Sequence, residues 1–453
     1  MGAMQINLKD IKTAYFIGIG GIGMSAIARF MNKRGIRVSG YDRTSTTLTK
    51  TLESEGMQIH YTEDVNAIPA ATDLVVYTPA IPEKHAELQY LKGTDIPLMK
   101  RAEVLGLLSR SLKCIGIAGT HGKTTTSTML TYLLREAGLD CSAFLGGIAK
   151  DFGSNYVEGN SDWLVVEADE YDRSFLHLNP TIGSILSADA DHLDIYGDEE
   201  EILKGGFLAY AELVSDVLMV NEKFIDKFNH LEHVLSYGVD RGDWRAERVR
   251  VENGRFVFDF IGPGVEWKNV ETALPGRHNV ENAVLALSIA CRLGLKEEAL
   301  RTALKGFKGI ARRFERVFDR ADVVYIDDYA HHPTELKAAI GAARELYPGR
   351  KISGVFQPHL FSRTKDFADG FAEALALLDR CYLLDIYPAR EEPIEGIDSA
   401  FLFEKIDMEH KVLCSKKDFP EILEQDEKDV LLTLGAGDID RLVEPIKNYL
   451  KNS

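Results

Sequence analysis

The chain has 453 residues, 45% hydrophobic and 27% charged, with a net charge of −17 at pH 7. That length exceeds one ordinary core and predicts two or three domains. The acidic balance excludes a general nucleic-acid binder, which needs a basic face, but leaves room for a local positive site that takes a small phosphorylated ligand.

The elements follow in three blocks, 4–107, 108–312 and 313–453. Each opens on a strand-like run and then alternates strand with helix, the pattern of an α/β fold with parallel sheets. In the first block an apolar strand at 13–19 leads into the turn Gly18-Ile19-Gly20-Gly21-Ile22-Gly23, then a helix over 24–34. Further strands are expected at 37–41, ending at Asp42, and at 73–77, ending at Thr78. In the second block a strand at 114–118 precedes Gly119-Thr120-His121-Gly122-Lys123-Thr124-Thr125 and a helix over 124–137. Strands at 163–166, 181–186 and 217–220 follow. From 249 to 267 the apolar period shifts towards two, which predicts inserted antiparallel strands and a mixed sheet. A long helix begins near Asn279. The third block carries strands at 323–326, 352–356, 381–384 and 430–434. No apolar run reaches membrane-spanning length and no signal-peptide pattern opens the chain, so a cytoplasmic protein is expected. Five dispersed cysteines without a CxxC pair read as reduced thiols.

The strongest chemical signal is the run Gly119–Thr125. Glycines there let backbone N–H groups converge on an anion, and the following helix points its positive end at the same place. Lys123 reaches the β- and γ-phosphates of ATP, and Thr124 or Thr125 offers a hydroxyl to Mg²⁺. The first glycine is irregular: the usual spacing falls on Ile117, with Gly116 one residue earlier. The turn Gly18-x-Gly20-x-x-Gly23 specifies a diphosphate on a helix N-terminus, and a UDP-sugar satisfies it as well as NAD does. Glu167-Ala168-Asp169-Glu170-Tyr171-Asp172 ends a strand, as a Mg²⁺ site of hard oxygens or as a solvated charge run. Asp191-His192 ends the next strand. Asp327-Asp328-Tyr329-Ala330-His331-His332 could hold Zn²⁺, orient an anionic substrate or shuttle a proton. His359 and Arg363 follow another strand. Arg312-Arg313, at a block boundary, suits a phosphate contact made on closure or a plain linker charge.

Taken in order, these motifs resemble the Mur ligase family. The resemblance runs through GIGGIGMS from Gly18, GTHGKTTT from Gly119, EADEYDRSFL from Glu167, DADHLDIYGD from Asp189, LPGRHNVENA from Leu274, ARRFE from Ala311, DDYAHHPTE from Asp327, FQPHLFSRT from Phe356, DIYPARE from Asp385 and LGAGDI from Leu434. It implies an N-terminal Rossmann-like UDP-sugar domain, a central P-loop ATPase domain and a C-terminal Rossmann-like amino-acid domain. The reaction it implies is a ligation in peptidoglycan precursor synthesis. ATP phosphorylates the lactyl carboxylate of UDP-N-acetylmuramate and L-alanine attacks the acyl phosphate, in a monomer or homodimer.

The resemblance also implies roles. Gly20, Gly21, Ile22, Gly23, Met24, Ser25, Asp42, Thr78 and Ala80 hold the UDP part. The loop Gly119 to Thr125 holds the phosphates, and His278, Asn279 and Asn282 lie at the adenine. Thr124 and Glu167 form a first Mg²⁺ site, with His192 at a second. Arg313, with Arg312, reaches the γ-phosphate. His331, His359 and Arg363 steer the amino acid, with Tyr329 shaping its side-chain pocket. Two positions depart from the family pattern: Leu360 stands where an arginine is frequent, and Ser187 where an asparagine is. A murein-peptide recycling ligase, joining a tripeptide to the same nucleotide sugar, is the nearest alternative. DIYGD, DIYPARE and Tyr329 favour the alanine reaction. An oxidoreductase built on the glycine turn would leave the ATP loop unexplained.

Overall fold

The computed structural model describes residues 10–188, 202–389, 391–425 and 429–452. His192 lies outside the described residues. The chain divides into two compact units, residues 1–244 with 285–303 and residues 245–284 with 304–453. Each is described by itself.

The first unit holds two sheets. The N-terminal one is built from β1 (Thr13–Ile17), β2 (Arg37–Tyr41), β3 (Gln58–His60), β4 (Leu74–Tyr77) and β5 (Leu98–Lys100). Their order is β3-β2-β1-β4-β5, all parallel, the doubly wound order of a Rossmann half. The second sheet is built from β6 (Lys113–Ala118), β7 (Ser142–Ala149), β8 (Ser154–Val157), β9 (Trp163–Ala168), β10 (Pro180–Ile185), β11 (Val217–Asn221) and β12 (Val234–Val239). Within it β12-β11-β10-β6-β9-β7 are parallel, and β8 closes the edge antiparallel to β7. Central strands such as β6 are almost continuously apolar and buried, as parallel strands covered on both faces must be.

The helix Ile22–Lys33 of the first sheet packs on β7 and β8 of the second. Phe30 meets Tyr156 edge-on at 5.9 Å and Phe144 at 5.7 Å. Polar groups cross the same seam. Asn155, fully buried, accepts from Arg29 at 2.5 Å and donates to Ser25 Oγ at 3.0 Å and to Ile22 O. Arg29 in turn forks onto Glu55 at 2.9 and 3.0 Å.

In the second unit β13 (Trp244–Glu252), β14 (Arg255–Gly262) and β15 (Val265–Thr272) form the expected antiparallel insertion. The C-terminal sheet holds β16 (Glu315–Asp319), β17 (Val324–Asp328), β18 (Ile352–Phe356), β19 (Arg380–Leu383), β20 (Lys411–Leu413) and β21 (Val430–Leu434), ordered β16-β17-β21-β18-β19-β20. Only β16 runs antiparallel. Tyr325, Val355, Tyr382 and Leu431 centre its core. The apolar runs anticipate the central strands; they do not anticipate β3, β5, β8, β16 or β20, which are short, polar or at edges, nor the interior strands β7 and β12. All five cysteines are free thiols. Among the described residues no helix is long and apolar enough to cross a membrane.

Candidate active site

The phosphate loop joins β6 to the helix Lys123–Glu136. Gly122 caps that helix at φ +83°, a left-handed conformation that costs a side-chain residue about 1 kcal/mol or more. The loop is fastened from behind by Ser187: Thr120 N donates to Ser187 O at 3.2 Å and His121 N to Ser187 Oγ at 2.8 Å. The residue that departs from the family's asparagine thus does a backbone-anchoring task with its hydroxyl.

Lys123 bends back into the loop. Its Nζ donates to Gly119 O at 2.7 Å and to both carboxylate oxygens of Glu170, at 2.9 and 2.6 Å. Burial opposes the lysine's charge, but the carboxylates of Glu170, Asp169 and Glu167 outweigh it and hold Lys123 protonated well above its ordinary range. Burial pushes the Glu170 carboxyl up to about 7, against the pull of Lys123. Glu170 lies inside the acidic run, and the sequence alone does not single it out. Its signal was its place three residues after Glu167, past the strand end, where the chain turns back under the loop.

Thr124 and Glu167 come together as expected. Thr124 Oγ1 donates to Glu167 Oε1 at 3.1 Å, while Gly146 N donates to Glu167 Oε2 at 3.0 Å. Paired hydroxyl and carboxylate oxygens fit Mg²⁺, which takes hard oxygen ligands. Thr125 is buried in the first turn of the helix.

The glycine turn lies at the end of β1. Gly18 N and Ile19 N donate to Tyr41 O at 2.8 and 3.0 Å, and Gly20 N donates to Asp42 Oδ2 at 2.7 Å. Asp42 therefore braces the turn itself. Gly21 caps the helix Ile22–Lys33, whose first turn carries no acid. Thr78 lies against Gly18 and its hydroxyl faces Ala80 N at 3.5 Å. Met24 and Ser25 are buried, Ser25 Oγ donating to Ile22 O at 2.9 Å.

The second unit gathers a different set. On the helix Arg277–Arg292, Asn279 Nδ2 donates to Pro275 O at 2.7 Å and Asn282 Nδ2 to Asn279 Oδ1 at 3.1 Å. Burial pushes the neighbouring His278 imidazole down to about 4. Arg312, at φ +61°, pairs with Asp327 at 3.2 Å and donates to Gly435 O at 2.7 Å. It is a strut between strand ends. Both guanidinium groups lie over the Tyr329 ring, Arg312 at 5.2 Å and Arg313 at 4.9 Å. Tyr329 meets His331 edge-on at 5.3 Å, His331 meets His359 at 6.1 Å, and His359 stacks on Tyr387 at 5.8 Å. The four rings therefore form a row across the carboxyl ends of β17, β18 and β19.

His331 Nδ1 faces Tyr329 O at 3.0 Å and Glu335 Oε2 at 3.2 Å. Burial, with Arg363 and Arg313 nearby, outweighs Glu335 and lowers the His331 pKa, so the ring is neutral near pH 7. The adjacent residues of the motif serve the fold. Asp328 accepts from Phe314 N at 2.6 Å and Ala330 N at 2.7 Å, and burial pushes its carboxyl up to about 6. His332 caps the helix Pro333–Leu346 through Thr334 N and meets Phe367 edge-on at 4.7 Å. The two histidines have separate surroundings, and among the described residues no group of three His, Cys, Asp or Glu side chains gathers as a metal site. Tyr387, absent from the expected set, is brought in by the backbone pairing of His359 with Tyr387.

Residues 13–112 match the catalytic domain of the Mur ligase family, 117–290 its middle domain and 312–437 its glutamate ligase domain. A UDP-N-acetylmuramate–L-alanine ligase of Christiangramia forsetii is 47% identical, over 98% of this chain and 99% of its own. The enzyme of that name from Porphyromonas gingivalis W83 is also 47% identical, over 97% of this chain and 99% of its own. The crystal structure of UDP-N-acetylmuramate-alanine ligase from Thermotoga maritima superposes with a TM-score of 0.84 at 26% identity, covering 97% of this chain and 100% of the other. A murein peptide ligase from Psychrobacter arcticus shares the fold at TM-score 0.71 and 22% identity, covering 98% and 99%. With all three of its domains matched in order and near half of its residues shared with full-length relatives, this chain belongs to the Mur ligase family.

Proposed function

We propose that this chain is a cytoplasmic ATP-dependent ligase that joins L-alanine to the lactyl carboxylate of UDP-N-acetylmuramate through an acyl phosphate. The observation that carries this reading is the 47% identity along 98% of the chain to a relative named for that reaction. The site chemistry supports it. A carboxylate is a poor acylating agent, so its oxygen attacks the γ-phosphorus of ATP and ADP leaves. The alanine amine then attacks the acyl carbon, the carbon–oxygen bond to phosphate breaks, and the amine gives up a proton.

Lys123, held protonated in the loop, stabilises charge on the phosphates; ATP displaces the Glu170 carboxylate from it. Thr124 and Glu167 would hold a Mg²⁺ ion, which supplies neutralisation of the phosphate oxygens. His192, the further proposed metal neighbour, lies outside the described residues. His278, Asn279 and Asn282 take the adenine, and Arg313, braced by Arg312, takes a phosphate. The glycine turn and Thr78 take the diphosphate of the UDP-sugar. In the ring row, Nδ1–H of a neutral His331 donates to Tyr329 O and leaves Nε2 as an acceptor for the alanine amine. Arg363 and His359 take the alanine carboxylate, and Tyr329 limits the side chain.

The test is ADP release with Mg²⁺, UDP-N-acetylmuramate and either L-alanine or the tripeptide L-alanyl-γ-D-glutamyl-meso-diaminopimelate. Turnover with L-alanine alone is expected. Turnover with the tripeptide and none with L-alanine would replace this reading by the recycling one.

A further inference from the structure

The glycine turn between Gly18 and Ser25 contains no lysine or arginine. A nucleotide diphosphate carries at least two negative charges, and a helix N-terminus answers with about half of one positive charge. A cation from elsewhere in the fold would add to that neutralisation. Arg101 is placed to supply it. It follows β5 directly and opens the helix Arg101–Ser111, so it sits at the carboxyl edge of the same parallel sheet as the turn. Ligands of open parallel sheets lie beyond that edge.

The contact with the turn is close. A Cβ built on Gly23 would overlap Arg101 Nη1 and lie 2.9 Å from Cδ and 3.1 Å from Cζ. The third glycine of this fingerprint ordinarily lets the helix approach its strand. Here the volume that a side chain at position 23 would need is filled by a guanidinium. The same arginine faces Asp169 Oδ2 at 3.7 Å, too long for a hydrogen bond. That pair leaves the donor fork of Arg101 available to an anion, and its side chain is 22% exposed. Asp169 precedes Glu170, the residue that holds Lys123.

We infer that Arg101 is a substrate-binding residue whose guanidinium grips the diphosphate of the UDP-sugar, and that Gly23 is glycine to make room for it. This rests on the reading of the N-terminal sheet as a UDP-sugar site.

The experiment measures calorimetric binding of UDP and of uridine to the full chain, alongside steady-state kinetics. Arg101→Ala should weaken UDP about tenfold or more, as loss of a charge-assisted contact does, and leave uridine within about twofold. KM for UDP-N-acetylmuramate should rise in step while KM for ATP stays. Arg101→Lys should recover part of the loss, because charge returns without the fork. Gly23→Ala should reproduce the Arg101→Ala defect, since it displaces the guanidinium. Added to Arg101→Ala it should cost almost nothing more. Arg101→Gln keeps the stem and serves if the alanine variant does not fold. UDP affinity unchanged in these variants, equal losses for UDP and uridine, or Gly23 and Arg101 penalties that multiply would each overturn the assignment. Should the wild-type chain bind UDP but not turn over L-alanine, the proposed reaction fails while the Arg101 variants still test the diphosphate contact.

Discussion

The phosphate loop of the first unit and the ring row of the second are built on opposite principles. The loop is a short continuous segment wired by polar contacts of 2.6 to 3.3 Å: Lys123 binds Glu170 and two loop carbonyls, Thr124 binds Glu167, and His121 N binds Ser187. The row is assembled from three separate strand ends whose rings touch at 5.3 to 6.1 Å. The backbone beside it takes positive φ angles at Arg312, Phe314 and Leu360. The difference teaches what each site can tolerate. A buried ion pair fails abruptly when one partner is lost, whereas a packed row loses affinity by degrees.

The sharpest way to break this contrast is Lys123→Met. ADP formation should fall by about a thousandfold, the scale of losing a preorganised charge-stabilising group. The variant should also lose about 3 kcal/mol of stability, because the buried Glu170 loses the cation that faces it. Lys123→Met combined with Glu170→Met should recover most of the stability and none of the activity. Urea denaturation and ADP assays separate the two effects. Recovery of activity in the double variant would remove Lys123 from the chemistry.

The same pair predicts a pH effect. The carboxyl of Glu170 is raised by burial from 4.5 to about 7. A group raised in the folded state contributes stability that is complete below about 4.5 and is lost as pH rises through about 7. Without nucleotide, the wild type should therefore lose about 2 kcal/mol relative to Glu170→Gln between pH 5 and pH 8. Lys123 is raised as well, but its own window lies above that range. Parallel stability curves for the two proteins would show that Glu170 does not titrate there.

In the row, His331→Ala should lower kcat/KM for L-alanine about a hundredfold, the range of a positioned acid–base group, with KM for ATP unchanged. A rise in KM for ATP alongside the loss would place His331 in general packing.

The two sites also differ in how far the sequence alone discloses them. Gly119 to Thr125 is contiguous, and a phosphate-binding backbone needs its glycines and lysine at fixed spacing, so the motif and its flanking strand and helix were legible together. Thr124 and Glu167 were legible as partners only through the family resemblance; the structure supplies the reason, since they follow and end the neighbouring parallel strands β6 and β9. Glu170 was not, because a run of acids does not say which of them turns inward. In the motif from Asp327 to His332, composition could not separate His331, which faces Arg363 and Arg313, from His332, which caps a helix. The distinction depends on which way one residue step turns before Pro333. The bracing contacts of Asp42 and Asn155 lie beyond sequence reasoning for the same reason: their partners, backbone atoms and distant side chains, are brought to them only by the tertiary fold.

Tyr387 is the remaining test of the row as a graded device. Its backbone N donates to Pro358 O at 2.8 Å and its O accepts from Leu360 N at 2.9 Å, so the loop after β19 grips the His359 loop on both sides. Its ring lies nearly parallel to His359, at 22°, and against Gly437. Replacing the ring by leucine keeps both backbone bonds and removes only the stack. An aromatic pair of this kind is worth about 1 kcal/mol. KM for L-alanine should therefore rise about fivefold in Tyr387→Leu, kcat should hold within about twofold, and Tyr387→Phe should behave as wild type. A collapse of kcat in Tyr387→Leu would mean that His359 acts on the reacting centre and not on the amino-acid carboxylate alone. An unchanged KM would mean that backbone pairing, without the ring, is enough to hold His359 in place.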